Sequence, residues 1–272
     1  MLENRCMYIW HLSKVVAQGV PAAVAKAGNA KLSHLIVKIA DADTGFENIQ
    51  GALGTALKSL VAACAAQRIA VYGYQVPHCP DEDSAKREAD FAAAAAAEFG
   101  LAGIFVDNEE GASYFEGNST TARIYADRLR AGLSAAGRGM VMSSHDIISY
   151  HPKAYAAVIG QRMNVNAPQV YYGRSAVDAR LHWAVKENAA FAAPFVPIGS
   201  AFVGSANEGG CATAQECAAQ TSEFIRRVSL LHDTNPAKYP GYGFWDWEEA
   251  PPEVWAVLDS TPVFVAPADG PA

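Results

Sequence analysis

Nothing in the 272-residue chain approaches the roughly 20 consecutive apolar residues that a membrane-crossing helix needs. The longest apolar stretch, Phe91 to Ala97, is mostly alanine, so membrane insertion is not expected. Basic residues are also few: 21 Lys and Arg stand against 28 Asp and Glu, for a formal net charge of -7, and no basic run exceeds the pairs Lys86-Arg87 and Arg226-Arg227. A nucleic-acid partner needs a basic patch or stripe, so a neutral or polar ligand is expected instead. The opening residues, Met1-Leu2-Glu3-Asn4-Arg5-Cys6, carry neither the basic start nor the apolar core of an export signal. Of the five cysteines, Cys6 and Cys64 sit among apolar residues as buried thiols do, and Cys79 ends a strand. Cys211 and Cys217 are close enough for a local disulfide, and no zinc-binding spacing occurs.

Missing motifs exclude further classes. No strand is followed by GxGxxG or GxxxxGK[ST], which speaks against a nucleotide site and an open doubly wound sheet. His11, His78, His145 and His151 fall near strand ends without HxH or HExxH spacing, so no metal or organic cofactor is expected. Ser143 and Ser144 beside His145-Asp146 would suit a serine hydrolase, but GxSxG is absent and adjacent strand residues point opposite ways.

What the chain does have is alternation. With 51% hydrophobic and 18% charged residues it has the composition of an ordered globular domain. Short β-like runs at residues 7–11, 34–39, 70–75, 103–107, 140–144, 167–172, 195–199 and 241–245 are separated by Ala-rich runs with apolar residues at helical spacing, such as Ala56 to Ala63 and Ala122 to Leu129. Eight such pairs predict a single-domain (β/α)₈ TIM barrel over residues 1–262, of class α/β, with a flexible Pro/Ala/Gly-rich tail at 263–272. Pro168 and Pro197 fall near strand starts, where a missing N–H is tolerable.

Barrel enzymes carry their reactive groups at the C-terminal ends of strands. Polar residues collect there: Asp107-Asn108-Glu109-Glu110 after strand four, Ser143-Ser144-His145-Asp146 after strand five, and Trp245-Asp246-Trp247-Glu248-Glu249 after strand eight. Strand alternation sends Asp107 and Glu109 to the barrel mouth, and Asn108 and Glu110 away from it. Two neighbouring carboxyls cannot both ionise easily, so one keeps its proton toward neutral pH. Glycoside hydrolysis uses such an acid at the leaving oxygen, with a second group to stabilise the cationic transition state. Asp246 and Glu248 are candidates for a further carboxylate, and Trp10, Tyr74, Tyr171 and Trp245 for sugar platforms.

These residues resemble two families. Glu88-Ala89-Asp90-Phe91 followed by Gly103-Ile104-Phe105-Val106-Asp107-Asn108-Glu109, with Leu35-Ile36-Val37-Lys38 and Val71-Tyr72-Gly73-Tyr74, is similar to the first half of glycoside hydrolase family 25 lysozymes. Gln169-Val170-Tyr171 and Gly243-Phe244-Trp245 are similar to the sixth and eighth strands of family 18 chitinases and endo-N-acetylglucosaminidases. The resemblance implies a hydrolase of N-acetylated β-1,4-linked glycans, peptidoglycan first and chitin-like polymers second, acting outside the cytoplasm if its target is a cell wall. It implies Glu109 as general acid, Asp107 as the group that orients the substrate acetamido nucleophile, and Tyr171 as donor to the acetamido oxygen. Trp245 would be the floor under the sugar, with Gln169 beside it. The chain departs from both patterns. Its first strand, Tyr8-Ile9-Trp10-His11, lacks the family 25 aspartate, and Ala102 and Phe105 stand where family 18 has two further aspartates. That departure supports a rival expectation, a non-catalytic barrel that binds a glycan or a protein.

Overall fold

The computed structural model describes residues 2–109, 113–150 and 158–264. Strands β1 (Asn4–Ile9), β2 (Leu32–Asp41), β3 (Ala70–Val76), β4 (Gly103–Asp107) and β5 (Gly139–Ser143) are parallel neighbours in chain order. Two short strands, β6 (Val165–Asn166) and β7 (Gln169–Val170), share the sixth position; β8 (Ile198–Ser200) and β9 (Gly241–Trp245) follow. β9 lies against β1, with Asn4 opposite Gly241 and Met7 opposite Phe244. The ring is completed where the Ala167 and Gln169 N–H groups donate to Met142 and Ser144 carbonyls at 2.7 and 2.8 Å, and Val196 N–H donates to Asn166 at 2.8 Å. The chain is a single (β/α)₈ barrel.

The sixth and seventh strands differ from the runs expected at 167–172 and 195–199. Proline has no N–H to give a ladder, so Pro168 divides the sixth position and Pro197 delays the start of β8. Their carbonyls still accept, from Ile198 and Gly243 N–H, both at 2.9 Å.

Alternation along the strands builds two apolar layers. Tyr8, Ile36, Tyr72, Tyr74, Phe105 and Val141 fill the barrel interior, where Phe105 meets Tyr8 and Tyr72 edge-on at 5.7 and 5.5 Å. Their neighbours Met7, Leu35, Val37, Val71, Ile104 and Met142 face outward under helices that include α1 (Val20–Asn29), α2 (Gly51–Ala66), α3 (Glu82–Glu98), α4 (Ser119–Ser134), α5 (Val177–Glu187), α6 (Ala214–Thr234) and α7 (Pro252–Ser260). Helix starts carry the expected caps: Asp81 accepts from Ser84 N–H, Asn118 and Thr121 form a capping box, and Thr213 accepts from Glu216 N–H. Within α3, Glu88 turns inward and accepts the His78 and Cys79 N–H groups at 2.7 and 2.8 Å, fixing the end of β3.

Cys211 and Cys217 are disulfide-bonded, and Cys6, Cys64 and Cys79 are free and buried. Phe264, within the segment expected to be loose, stacks on His232 at 3.9 Å; residues 265–272 lie outside the described residues. Among the described residues, no helix is long and apolar enough to cross a membrane.

Candidate active site

The C-terminal ends of the strands open into a cleft of about 780 Å³. Asp107 and Glu109 both line it at the end of β4, whereas Asn108 between them is buried away from it. Glu110, expected to face away, lies outside the described residues, as does His151. Gln169 on β7 reaches across: its Nε2 donates to Asp107 Oδ1 at 2.8 Å and to Ser143 Oγ at 3.4 Å. Ser143 also accepts the Tyr8 hydroxyl at 3.1 Å, so this serine belongs to the barrel floor.

Burial holds both carboxyls above the ordinary carboxylate range. For Asp107 the charge of Glu109 adds to the rise, and the Lys38 ammonium and the Gln169 donor oppose it. The pair therefore retains a proton that two isolated carboxylates would release. Gln169 also opposes the rise at Glu109. The rise is the greater at Asp107.

The walls are aromatic. Trp10, 38% exposed, stacks on His11 at 4.6 Å and lies 6.3 Å from Trp245; Tyr171 faces Phe202 edge-on at 6.4 Å. All four of Trp10, Trp245, Tyr171 and Phe202 line the cleft. Tyr74 does not. It is 2% exposed and packs under Trp245 at 6.1 Å and beside Tyr8 at 5.5 Å, beneath the cleft and out of its lining.

Asp246 and Glu248 also sit elsewhere than expected. Asp246 is fully buried and accepts from Glu249 N–H at 3.1 Å; Glu248 accepts from the His11 N–H. Burial, then the charge of Glu248, pushes Asp246 up to about 8, and burial also raises Glu248. They form an internal carboxyl pair behind the wall, and it is Glu249 that lines the cleft.

Several lining residues left no signal in the sequence. Tyr114, in the loop after β4, has its hydroxyl pushed up to about 12 by burial and then by Glu109 and Asp107. Arg180 of α5 donates through Nη2 to Asp146 Oδ1 at 2.5 Å; Asp146 is buried, which lifts it to about 6 against that pull. His145, already marked by its place at the end of strand five, lies beside Tyr150 at 5.3 Å, and burial followed by the Arg180 charge lowers its pKa. Asn207, Glu208 and Gly209 come from the loop after β8, which the Cys211–Cys217 disulfide pins at its far end. Gly209 has φ +83° and packs so tightly on Tyr171 that a Cβ would collide with it. Among the described residues, no group of three or more His, Cys, Asp or Glu side chains gathers to hold a metal ion.

No family model and no curated protein matches the chain. Solved structures match over nearly its whole length. A chitinase from Bacteroides thetaiotaomicron has a TM-score of 0.64 at 11% identity, covering 95% of this chain and 96% of that one. A glycoside hydrolase family 18 chitinase from Flavobacterium johnsoniae has a TM-score of 0.61 at 10% identity, covering 94% and 93%. The xylanase and alpha-amylase inhibitor protein of Scadoxus multiflorus has a TM-score of 0.64 at 13% identity, covering 94% and 95%. At such identities the likeness is one of fold.

Proposed function

We propose that the cleft hydrolyses N-acetylated β-1,4-linked glycans, chitin-type chains first and peptidoglycan second. The observation that carries this reading is the pair at the end of β4: two carboxyls in one aromatic cleft, both raised above the ordinary range by burial, with Gln169 bonded to Asp107. Glu109 delivers its proton to the leaving oxygen, and the charge on Asp107 orients the acetamido group and offsets the positive charge that develops at the sugar. Tyr171 donates to the acetamido oxygen, and Trp245 and Trp10 pack against the pyranose faces. The fold likeness to chitinases supports this reading.

The test is release of reducing sugar from chitohexaose and from purified peptidoglycan by wild type and Glu109→Gln. Removing the proton while keeping the volume lowers turnover by roughly 10² to 10⁴, with little change in affinity. Equal turnover by both proteins refutes the assignment. A second reading, a barrel that binds without cleaving, is favoured by Ala102 and Phe105 in place of acids and by the inhibitor barrel of the same fold. Binding of chitohexaose by wild type with no cleavage from pH 3 to 9 would establish it.

A further inference from the structure

Tyr171 is poorly held by its own strand. β7 is two residues long, and its last register pair is Val170 with Gly199, so the ladder stops one residue short of the tyrosine. Its hydroxyl has no hydrogen-bond partner among the described residues and lines the cleft, which leaves it free to meet a ligand and leaves its place to packing. That packing comes from residues 201–213, the loop between β8 and α6. Gly209, at φ +83°, lies so close that a Cβ there would stand 2.4 Å from the Tyr171 Cβ, and Phe202 meets the ring edge-on at 6.4 Å. Two residues beyond the tyrosine the chain is clamped from both sides: Gly173 N–H donates to the Gly209 carbonyl at 3.1 Å, and Gln220 Nε2 of α6 donates to the Gly173 carbonyl at 2.8 Å. A loop of this length is costly to order, and it is fastened to a rigid element at Cys211. The Cys211 N–H donates to the Phe202 carbonyl at 2.9 Å and its carbonyl accepts from Gly204 N–H at 3.0 Å, while its sulfur joins Cys217, fully buried in α6.

We propose that the Cys211–Cys217 disulfide and Gln220 are positioning residues for Tyr171: both tie the 171–173 segment to α6, one through the loop and Gly209, the other directly at Gly173, and so fix the wall that meets the acetamido group. This rests on the reading of Tyr171 as the donor to the acetamido oxygen. None of the three positioning residues is placed to touch a sugar, since both cysteines are fully buried and Gln220 lies outside the cleft lining. Their effect on a glycan therefore passes through the tyrosine, and it falls on ligands that carry an acetamido group.

The experiment is a double-mutant cycle read by calorimetric binding of chitohexaose, with cellohexaose, which has the same linkage and no acetamido group, as the control. The proteins are Tyr171→Phe, Gln220→Leu, the double variant Cys211→Ser/Cys217→Ser, and each of the last two combined with Tyr171→Phe, all carrying Glu109→Gln so that no ligand is consumed. Tyr171→Phe removes one hydrogen bond and should weaken chitohexaose binding about fivefold to tenfold. Gln220→Leu and the double serine variant should each lose a large part of that factor, with cellohexaose binding unchanged within about twofold. Once Tyr171→Phe is present, the same changes should cost less than about twofold further. Unaltered chitohexaose binding in both variants, or losses as large with the tyrosine hydroxyl removed as with it present, overturns the proposal. If the double serine variant does not fold, Gln220→Leu, which leaves the disulfide in place, decides alone. Binding needs no turnover. Coupling to Tyr171 in a protein whose Glu109 form cleaves nothing leaves the positioning role standing while the hydrolase reading falls; cleavage of chitohexaose without coupling gives the reverse.

Discussion

Arg5→Met tests how the barrel is closed at its base. Arg5 is fully buried, and its donors meet the chain at both ends: Nε donates to the Tyr242 hydroxyl at 3.0 Å, Nη1 to Ala30 and Leu258 carbonyls at 2.5 and 2.6 Å, and Nη2 to Thr261 and Pro262 carbonyls at 3.1 and 3.5 Å. Ala30 caps α1, and Leu258 and Thr261 end α7, so one guanidinium satisfies the orphan carbonyls, and opposes the negative dipole ends, of two helices. Methionine fills much of the volume and donates nothing. Ala30, Leu258 and Tyr242 would each be left as buried acceptors, at about 1 to 3 kcal/mol apiece. Relief of the cation's desolvation offsets part of that sum, and water can serve the partly buried Thr261 and Pro262 carbonyls. The net loss is about 3 to 5 kcal/mol. In urea, with m of about 3 kcal/mol/M, the midpoint should fall by about 1 to 1.7 M at unchanged m. Chitohexaose affinity of the folded protein should not change, because Arg5 lies in the first turns of β1, at the opposite end from the cleft. A loss below about 1 kcal/mol would show that the guanidinium merely occupies space.

Replacing Cys211 and Cys217 by serine opens a six-residue link and should lower stability by about 2 kcal/mol from loop entropy; an unchanged thermal midpoint in double mutant and wild type would contradict it. Asp246, raised to about 8 in the fold, contributes most to stability below its unfolded pKa and loses that contribution as pH rises toward 8. Asp246→Asn should therefore be more stable than wild type at pH 8, by at most about 5 kcal/mol, with the advantage vanishing near pH 4 in paired urea melts. Because burial raises Glu109, its acid form outlasts an ordinary glutamic acid as pH rises. The alkaline limb of kcat should accordingly lie above the usual carboxylate range and disappear in Glu109→Gln; a limb at an ordinary glutamate pKa would refute the burial argument.

The barrel could be read from the chain because its two apolar layers impose two periods that coexist in sequence, a period of two on the strands and a helical one on the alanine-rich runs between them. The reading failed in detail at residues 165–170 and 195–200, where Pro168 and Pro197 remove donors and closure depends on isolated bonds between distant segments. Within the site, alternation placed Asp107 and Glu109 on one side because β4 runs straight to Asp107. Asp246 and Glu248, candidates for a further carboxylate, lie behind the wall instead, since β9 ends at Trp245 and a turn, not a pleat, sets the direction of the residues beyond it. Tyr74 was misjudged for another reason: alternation tells inside from outside but not depth, and Tyr74 sits level with Phe105, beneath the mouth. Tyr114, Arg180 and the 207–209 loop reach the cleft through tertiary packing, which carries no local period.

The departure at position 105 acquires a meaning once the interior is seen. Phe105 and Asp107 are two residues apart on β4, so a carboxylate at 105 would stand directly below Asp107 on the same inward row. It would add a third carboxyl to a pair that already shares a proton, and the proton would divide among three sites. Phe105 instead fills that space against Tyr8 and Tyr72, and what stabilises Asp107 comes from the sides, from Gln169 on β7 and Lys38 on β2. On the proposed reading, Phe105 leaves the proton to be held between Asp107 and Glu109 alone, two groups and not three, which is what an acid paired with a carboxylate requires.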